Sequence, residues 1–525
     1  MDKLELIVTE EDEDITRVVN MVFIGIPILF TLCLYIQKSA CDVDPNLTVE
    51  NANAFIAENK DTINQTYRLK YHAMAPIGWI NDPNGFIFFQ DEYHLFYQYN
   101  PYNAYPNKIH WGHMKSKDLV HWEDLPVALA PDQDYDADGV FSGSAIVKDG
   151  KLYVMYTGNS GDRQVQCIAV SEDGINFQKI DQNPVLDANS LPSNAQPQDF
   201  RDPKVFQRGD LYYVVTVSRT VNETGQVLLY QSTDLINWEF KSILLEGTTE
   251  QGNMWECPDL FELDGKDVLL LSAIEMARSG NDYSNMDSVV EFVGEMNWDE
   301  GKFIVESMKE LDHGMDFYAT QSTTDNQGRR IVIAWMNMWG RTYPTADLGH
   351  GWVGAMTLPR ELHIKHGSLV QKPISEIALF CKPVANYANV ILTNQTHRFQ
   401  NVSGEVGEME LQVNLRNTKT FTIELRANDV EKTILSYNTE SSELTLDRTN
   451  SGITITGNEN PQVFARKVQA SLNDNRLKLQ VFLDRSSVEV FVNDGRESLT
   501  ATVYPTEVPS DSIRFTAEGT AKEMK

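Results

Sequence analysis

The sequence predicts an all-β protein, a five-bladed β-propeller followed by a C-terminal β-sandwich, and three observations carry that reading. Five strand-like runs rich in β-branched and aromatic residues, Tyr93–Tyr99, Leu152–Thr157, Leu211–Val217, Val268–Ser272 and Arg330–Met336, start about 60 residues apart. Each follows a turn signal: Asp91-Glu92, Asp149-Gly150, Gly209-Asp210, Asp264-Gly265 or Gln327-Gly328. Each run therefore reads as the second arm of a hairpin in a repeated β unit. From about residue 390 the chain alternates apolar and polar residues in short stretches such as Leu477–Phe482 and Val488–Val492, the pattern of a sandwich.

Taken in order, the N-terminal region 1–66 comes first. Val18 to Ile36 is nearly continuous apolar sequence, and as a helix it would be about 28 Å long, enough to span a bilayer. The acidic run Glu10 to Asp14 before it is unlike the basic start of a secretory signal, so a signal anchor is expected as readily as a cleaved signal. Lys3 and Arg17 before the span and Lys38 after it lean weakly toward a cytoplasmic N-terminus. Membrane anchorage through residues 18–36, or secretion, with the downstream domains luminal or extracellular, is the resulting expectation. Residues 40–66 read as a polar linker. Sequons at Asn46, Asn64, Asn222, Asn394 and Asn401 suit such a route, although an Asn-rich chain carries several by chance.

Residues 67–370 hold the repeats. Three of them carry a second echo, Ser116-Lys117-Asp118 with Trp122, Ser171-Glu172-Asp173 with Phe177 and Ser232-Thr233-Asp234 with Trp238, a polar turn followed by an aromatic that can wedge between sheets. Residues 385–525 form the sandwich domain. Within it Asp484-Arg485-Ser486-Ser487-Val488-Glu489 brings acids together, and structural support is the reading favoured over a second site.

Composition narrows the function. Lys and Arg number 44 against 75 Asp and Glu, a formal charge of -31, which repels phosphate backbones and argues against nucleic acid as a partner. A small neutral substrate fits better. The five cysteines are Cys33, Cys41, Cys167, Cys257 and Cys381, with neither metal-ligand spacing nor a disulfide framework, so no metal and no cofactor are expected.

The chemistry is expected just upstream of the hairpins. Asn81-Asp82-Pro83-Asn84-Gly85 precedes the first, Phe141-Ser142-Gly143-Ser144 the second, Arg201-Asp202-Pro203 the third, Trp255-Glu256-Cys257-Pro258 the fourth and Asp316-Phe317-Tyr318 the fifth. First strands of successive blades line the central channel, so Asp82, Asp202 and Glu256 are expected in one funnel. Converging carboxyls without histidine ligands suit acid/base and nucleophilic chemistry at an acetal carbon, with one carboxyl protonated and one ionised. The apolar neighbours Trp255 and Cys257 are expected to keep the proton on Glu256, Arg201 to favour ionised Asp202, and the amides of Asn81 and Asn84 to hold Asp82 ionised.

Trp79 to Gly85, Phe141 to Ser144, Arg201-Asp202-Pro203 and Glu256-Cys257-Pro258 together resemble the signature set of glycoside hydrolase family 32, the β-fructofuranosidases, invertases and fructan hydrolases. The resemblance covers about residues 67–525, and the run Tyr71 to Trp79 is most similar to the bacterial sucrose and sucrose-phosphate branch. It implies Asp82 as nucleophile, Asp202 as transition-state stabiliser and Glu256 as acid/base in a retaining mechanism. It also implies sugar contacts from Trp79, Asn81, Gln98, Trp111, Phe141, Ser142, Arg201 and Trp335, the tryptophans by stacking. The expected reaction is hydrolysis of a terminal β-fructofuranoside, with sucrose foremost. A fructan hydrolase, a fructosyltransferase and a non-catalytic sugar-binding propeller are the alternatives. The membrane-like N-terminus departs from the mostly cytoplasmic bacterial branch and counts against a phosphorylated substrate.

Overall fold

The hairpins begin where turn chemistry demands. Asp149-Gly150 and Asp264-Gly265 have φ values of 52 and 74, and 50 and 79, the paired positive angles of the type I′ turn that matches strand twist. In the first blade the turn is Gln90-Asp91, with φ values of 49 and 64, one residue earlier than the composition suggested. The computed structural model describes residues 44–523. The apolar run 18–36 lies outside the described residues, and among those residues no helix is long and apolar enough to cross a membrane.

Five antiparallel sheets follow one another in sequence as the blades of a propeller. Each of the first four is built from four consecutive strands, opening with Gly78–Phe89, Gly139–Lys148, Ala195–Arg208 and Met254–Leu263, and the fifth opens with Tyr318–Thr324. All five runs foreseen as second arms occupy the second strand of their blade. The blades are tied around the axis by their first strands. Gln321 of the fifth accepts from Phe86 N of the first at 2.8 Å and donates to Gly143 O of the second at 2.9 Å. Ser144 of the second donates to Pro203 O of the third at 2.7 Å. Lys204 of the third donates to Ser322 O of the fifth at 2.7 Å, and Ser322 N to Asp259 of the fourth. A short parallel strand, Trp352–Val353, pairs with the start of the first blade and closes the ring.

The Ser-X-Asp echoes sit between the third and fourth strands. Asp118, Asp173 and Asp234 accept from the backbone two and three residues ahead and from the serine two before, which closes the turn without a ladder partner. Phe177 then packs edge-on against Phe96 of the neighbouring blade, ring centroids 5.4 Å apart.

Residues 40–66 are not simply a polar linker. Val49–Asn59 is a helix capped by the Thr48 hydroxyl, and Val49, Ala52 and Ile56 pack into the core of the first blade while Asn53 Oδ1 accepts from Val127 N at 2.9 Å. Phe55 adds a ring contact with Tyr102, centroids 5.0 Å apart, yet the apolar stripe is too sparse to stand out among the polar residues.

In the sandwich, the 21-residue strand Gly407–Ala427 serves both layers, pairing with Arg476–Asp484 over its first half and with Lys432–Asn438 over its second. Its apolar face closes a core that includes Phe421, Ile423, Leu479, Val481, Val490 and Leu499. Buried ion pairs join this domain to the propeller. Arg360 meets Asp312 at 2.8 Å and Glu489 at 2.6 Å, and His72 lies 2.9 Å from both Asp484 and Glu489. Asp484 also accepts from Lys70 N and Tyr71 N. The acidic motif of the sandwich is thus an anchor for the start of the propeller. Asp316, counted at sequence level with the channel clusters, belongs to this seam as well, paired with Arg341 at 3.0 Å and with Arg448.

Candidate active site

One local irregularity recurs in all five first strands. The ladder slips between Ile80 and Pro83, Phe141 and Gly143, Arg201 and Lys204, Glu256 and Asp259, and Tyr318 and Gln321. Such bulges re-aim side chains and increase strand twist. Asp202, Cys257 and Ala319 sit in them with φ values of 60, 49 and 53, a backbone costly for residues other than glycine. The strain lies where Asp82, Ser142, Asp202, Glu256 and Tyr318 are turned toward a common space.

Two hydrogen-bond relays end on Asp82. Gln98 donates to Ser142 Oγ at 3.1 Å, and Ser142 donates to Asp82 Oδ2 at 2.6 Å. Trp79 Nε1 donates to Asn81 Oδ1 at 2.7 Å, and Asn81 Nδ2 donates to Asp82 Oδ1 at 3.0 Å. Both relays require Asp82 to accept, which suits a carboxylate. Burial and the negative charge of Glu256 push its pKa up, and these donors oppose the rise. Asn84 is not among them; it accepts from Gly143 N at 3.2 Å instead.

Glu256 is gripped from both sides. Arg201 Nε and Nη2 donate to its Oε1 at 3.0 and 2.9 Å, and Tyr318 donates to Oε2 at 2.8 Å. Arg201 is itself steadied by Asp199 at 2.9 Å. Arg201 places its hydrogen bonds on Glu256 rather than on its neighbour Asp202, although its positive charge still favours ionised Asp202 as expected. The reading of Glu256 is corrected. The apolar setting expected from Trp255 is absent, because alternate side chains of a strand face opposite ways. The Trp255 indole lies between blades, so close to Gly225 and Gly247 that a Cβ on either would come within 2.4 Å of it.

Asp202 accepts from Cys257 N at 2.9 Å, and its own N–H goes to Thr157 Oγ1 at 2.9 Å. Burial, then the charge of Glu256, push its pKa up to about 7. The Cys257 thiol lies 3.6 Å from Asp82 and 3.8 Å from Asp202, a neutral spacer between two carboxyls.

The three acids, Arg201, Asn81, Gln98 and Ser142 therefore come together. Tyr318, named in the fifth cluster but given no role from sequence, joins them through its bond to Glu256. The tryptophans differ from expectation. Trp79, Trp111 and Trp335 are each 0% exposed, so none presents a free ring face for stacking. Trp111 packs between the first two blades and donates to Phe141 O at 3.0 Å, setting the backbone beside Ser142, while Trp79 packs against Trp335, Trp339 and Tyr343. The Phe141 side chain is half-buried at the second bulge.

The chain matches known proteins over most of its length. The profile described as Glycosyl hydrolases family 32 N-terminal domain matches residues 72–373, and that of the family 32 C terminal matches residues 381–525. A sucrose-6-phosphate hydrolase of Zymomonas mobilis is 37% identical over 476 residues, covering 86% of this chain and 90% of that protein. A raffinose invertase of Escherichia coli is 36% identical, covering 86% and 92%. Among solved structures, the β-fructofuranosidase of Bombyx mori in complex with sucrose is 32% identical, with a TM-score of 0.78 and coverage of 90% and 97%.

Proposed function

Since the chain belongs to glycosyl hydrolase family 32, we propose that it hydrolyses the terminal β-fructofuranosyl bond of unphosphorylated sucrose by a retaining double displacement. The observation that carries this reading is the convergence of Asp82, Asp202 and Glu256 about Cys257, with Asp82 held only by donors and Glu256 held by Arg201 and Tyr318.

In the first step Glu256 gives its proton to the glycosidic oxygen while the Asp82 carboxylate attacks the anomeric carbon of the fructosyl unit. Glucose leaves and a fructosyl ester of Asp82 remains. In the second step Glu256 takes a proton from water, whose oxygen attacks the same carbon and frees Asp82. Arg201 and Tyr318 stabilise the carboxylate that Glu256 becomes between the steps. Asp202 is assigned to the sugar hydroxyls.

Charge supports the unphosphorylated substrate. A phosphate needs a cation with donors to spare. Arg201 is committed to Glu256 and Asp199. The raffinose activity named for one relative and the sucrose bound to another accord with this choice. The run 18–36 supports placing the catalytic domain on the extracellular or luminal side.

Purified protein assayed on sucrose, sucrose 6-phosphate, raffinose and inulin tests the proposal. Equimolar glucose and fructose from sucrose, with kcat/KM at least about tenfold above that for sucrose 6-phosphate, is expected; tenfold corresponds to about 1.4 kcal/mol. A preference for the phosphorylated sugar, or no release from any of the four, overturns it.

A further inference from the structure

Asp287 opens the third strand of the fourth blade, Asp287–Asn297, outside both the catalytic trio and the ion pairs of the domain seam. Strand pairing places it. Glu256 pairs with Ser272 and Ser272 with Val289, while Met254 pairs with Ile274 and Ile274 with Asp287, so Asp287 lies two strands out from Glu256 and two residues along. Opposed residues, and those two apart, share one face of a sheet. That face turns toward the fifth blade, because Ser272 Oγ accepts from Ala319 N, next to Tyr318, at 3.1 Å. From this placement we infer that Asp287 binds the leaving group, accepting a hydroxyl of the hexose that departs when Glu256 protonates the glycosidic oxygen; the inference rests on the roles given above to Asp82 and Glu256.

Its hydrogen bonding is incomplete. Asp287 is 3% exposed, and it accepts from Glu275 N at 3.3 Å, a long bond for a carboxylate. Asp312, Asp316 and Glu310 are as deeply buried, and each has an arginine within 3.0 Å. Asp287 has no such ion pair among the described residues; Arg341 favours its charge only from a distance, being bonded to Asp316 and Glu459. A carboxylate offers about four acceptor sites, and burying one with a single weak donor is costly unless a ligand supplies the rest. Sugar hydroxyls are such donors.

Position and space agree with that role. First strands line the axis, so Asp82, Asp202 and Glu256 meet there, and Asp287 lies on the outward side of Glu256. The fructosyl carbon must sit against Asp82, and the oxygen that takes the proton carries the departing sugar away from it. Burial, then the charge of Glu256, push the Asp287 pKa up to about 7, and the charge of Asp287 adds to the rise at Tyr318, so Asp287 shares the buried setting of the proton donor. Beyond it, Glu275 and Met286 line a cavity of about 470 Å³ between the fourth blade and the sandwich, within the range of small-ligand pockets. Phase along the repeats did not single out Asp287, because it stands on a third strand rather than a first.

Full-length Asp287→Ala and the isosteric Asp287→Asn, assayed on sucrose and on an aryl β-fructofuranoside whose leaving group carries no hydroxyl, test the inference. For either variant kcat/KM on sucrose should fall at least about tenfold, the effect of losing a hydrogen bond to a charged group, while the aryl fructoside is cleaved within about twofold of wild type. Glucose should inhibit aryl fructoside hydrolysis at least about tenfold more weakly, and the alkaline limb of the pH profile should stay in place. Asp287→Asn carries the test should Asp287→Ala fail to fold. No loss on sucrose, or an equal loss on both substrates, would overturn the inference. So would a shifted alkaline limb with unchanged glucose inhibition, which would mean that Asp287 acts through Glu256. Wild-type protein that cleaves neither substrate would instead refute the proposed function, and this inference with it.

Discussion

The Tyr318 hydroxyl of the fifth blade donates to Glu256 Oε2 of the fourth at 2.8 Å, opposite the two donors that Arg201 brings from the third. The carboxyl proposed to shuttle a proton is thus held by groups from two other blades. Tyr318 is buried, and burial keeps its phenol pKa well above the ordinary value, so it remains a donor across the working pH range.

Tyr318→Phe removes that donor and little volume. Loss of a hydrogen bond to a charged group amounts to about 1.5–3 kcal/mol, so kcat on sucrose should fall by about 10–150-fold with little change in KM. Steady-state kinetics check this; an unchanged kcat would remove Tyr318 from the catalytic step.

The two principal acids should separate by chemistry. Glu256→Gln should be slow on sucrose, by about 10³ or more, yet much less impaired on a fructoside with a good leaving group, and azide should restore turnover. Asp82→Asn should lose both substrates, since no ester can form, and azide should not rescue it with retention. Equal behaviour of the two variants on the activated fructoside would refute the assigned roles.

Asp202 should make stability depend on pH. Its pKa rises from an ordinary 3.8 to about 7 on folding, so the folded state binds the extra proton between those values. The resulting contribution is complete below the unfolded pKa and lost as pH rises through about 7. Asp202→Asn, which cannot ionise, should therefore raise Tm by a few degrees at about pH 8 and by less at about pH 5, while abolishing most activity. Calorimetric scans at the two pH values measure the difference; a variant less stable at the higher pH contradicts it.

The helix Val49–Asn59 changes where the chain can be cut. A protein starting at residue 44 should keep full activity and Tm, and should be soluble where the full-length chain sediments with membranes. One starting at residue 64 loses the packing of Val49, Ala52 and Ile56 on the first blade, and should melt several degrees lower. Fractionation and thermal scans of the two check both points; a full-length chain that stays in the soluble fraction would remove the anchor reading.

Much of this molecule was legible in the residues themselves. The second strand of every blade could be placed because β-branched runs behind turn residues are local signals, and a repeat multiplies a weak local signal by five. The acids could be grouped because a propeller converts equal phase along the chain into nearness around an axis. Asp82, Asp202 and Glu256 obeyed that rule. Asp316 did not, since two arginines at the sandwich seam take its carboxylate. What tertiary structure alone decided was the partner of each group. Arg201 adjoins Asp202 in sequence yet bonds Glu256, because the bulge turns the two side chains apart and the next blade supplies the closer oxygen. Trp255 adjoins Glu256 yet packs on two glycines of the third blade, because neighbours on a strand face opposite sides. Protonation follows through-space charge and burial, and no linear order of residues contains those distances.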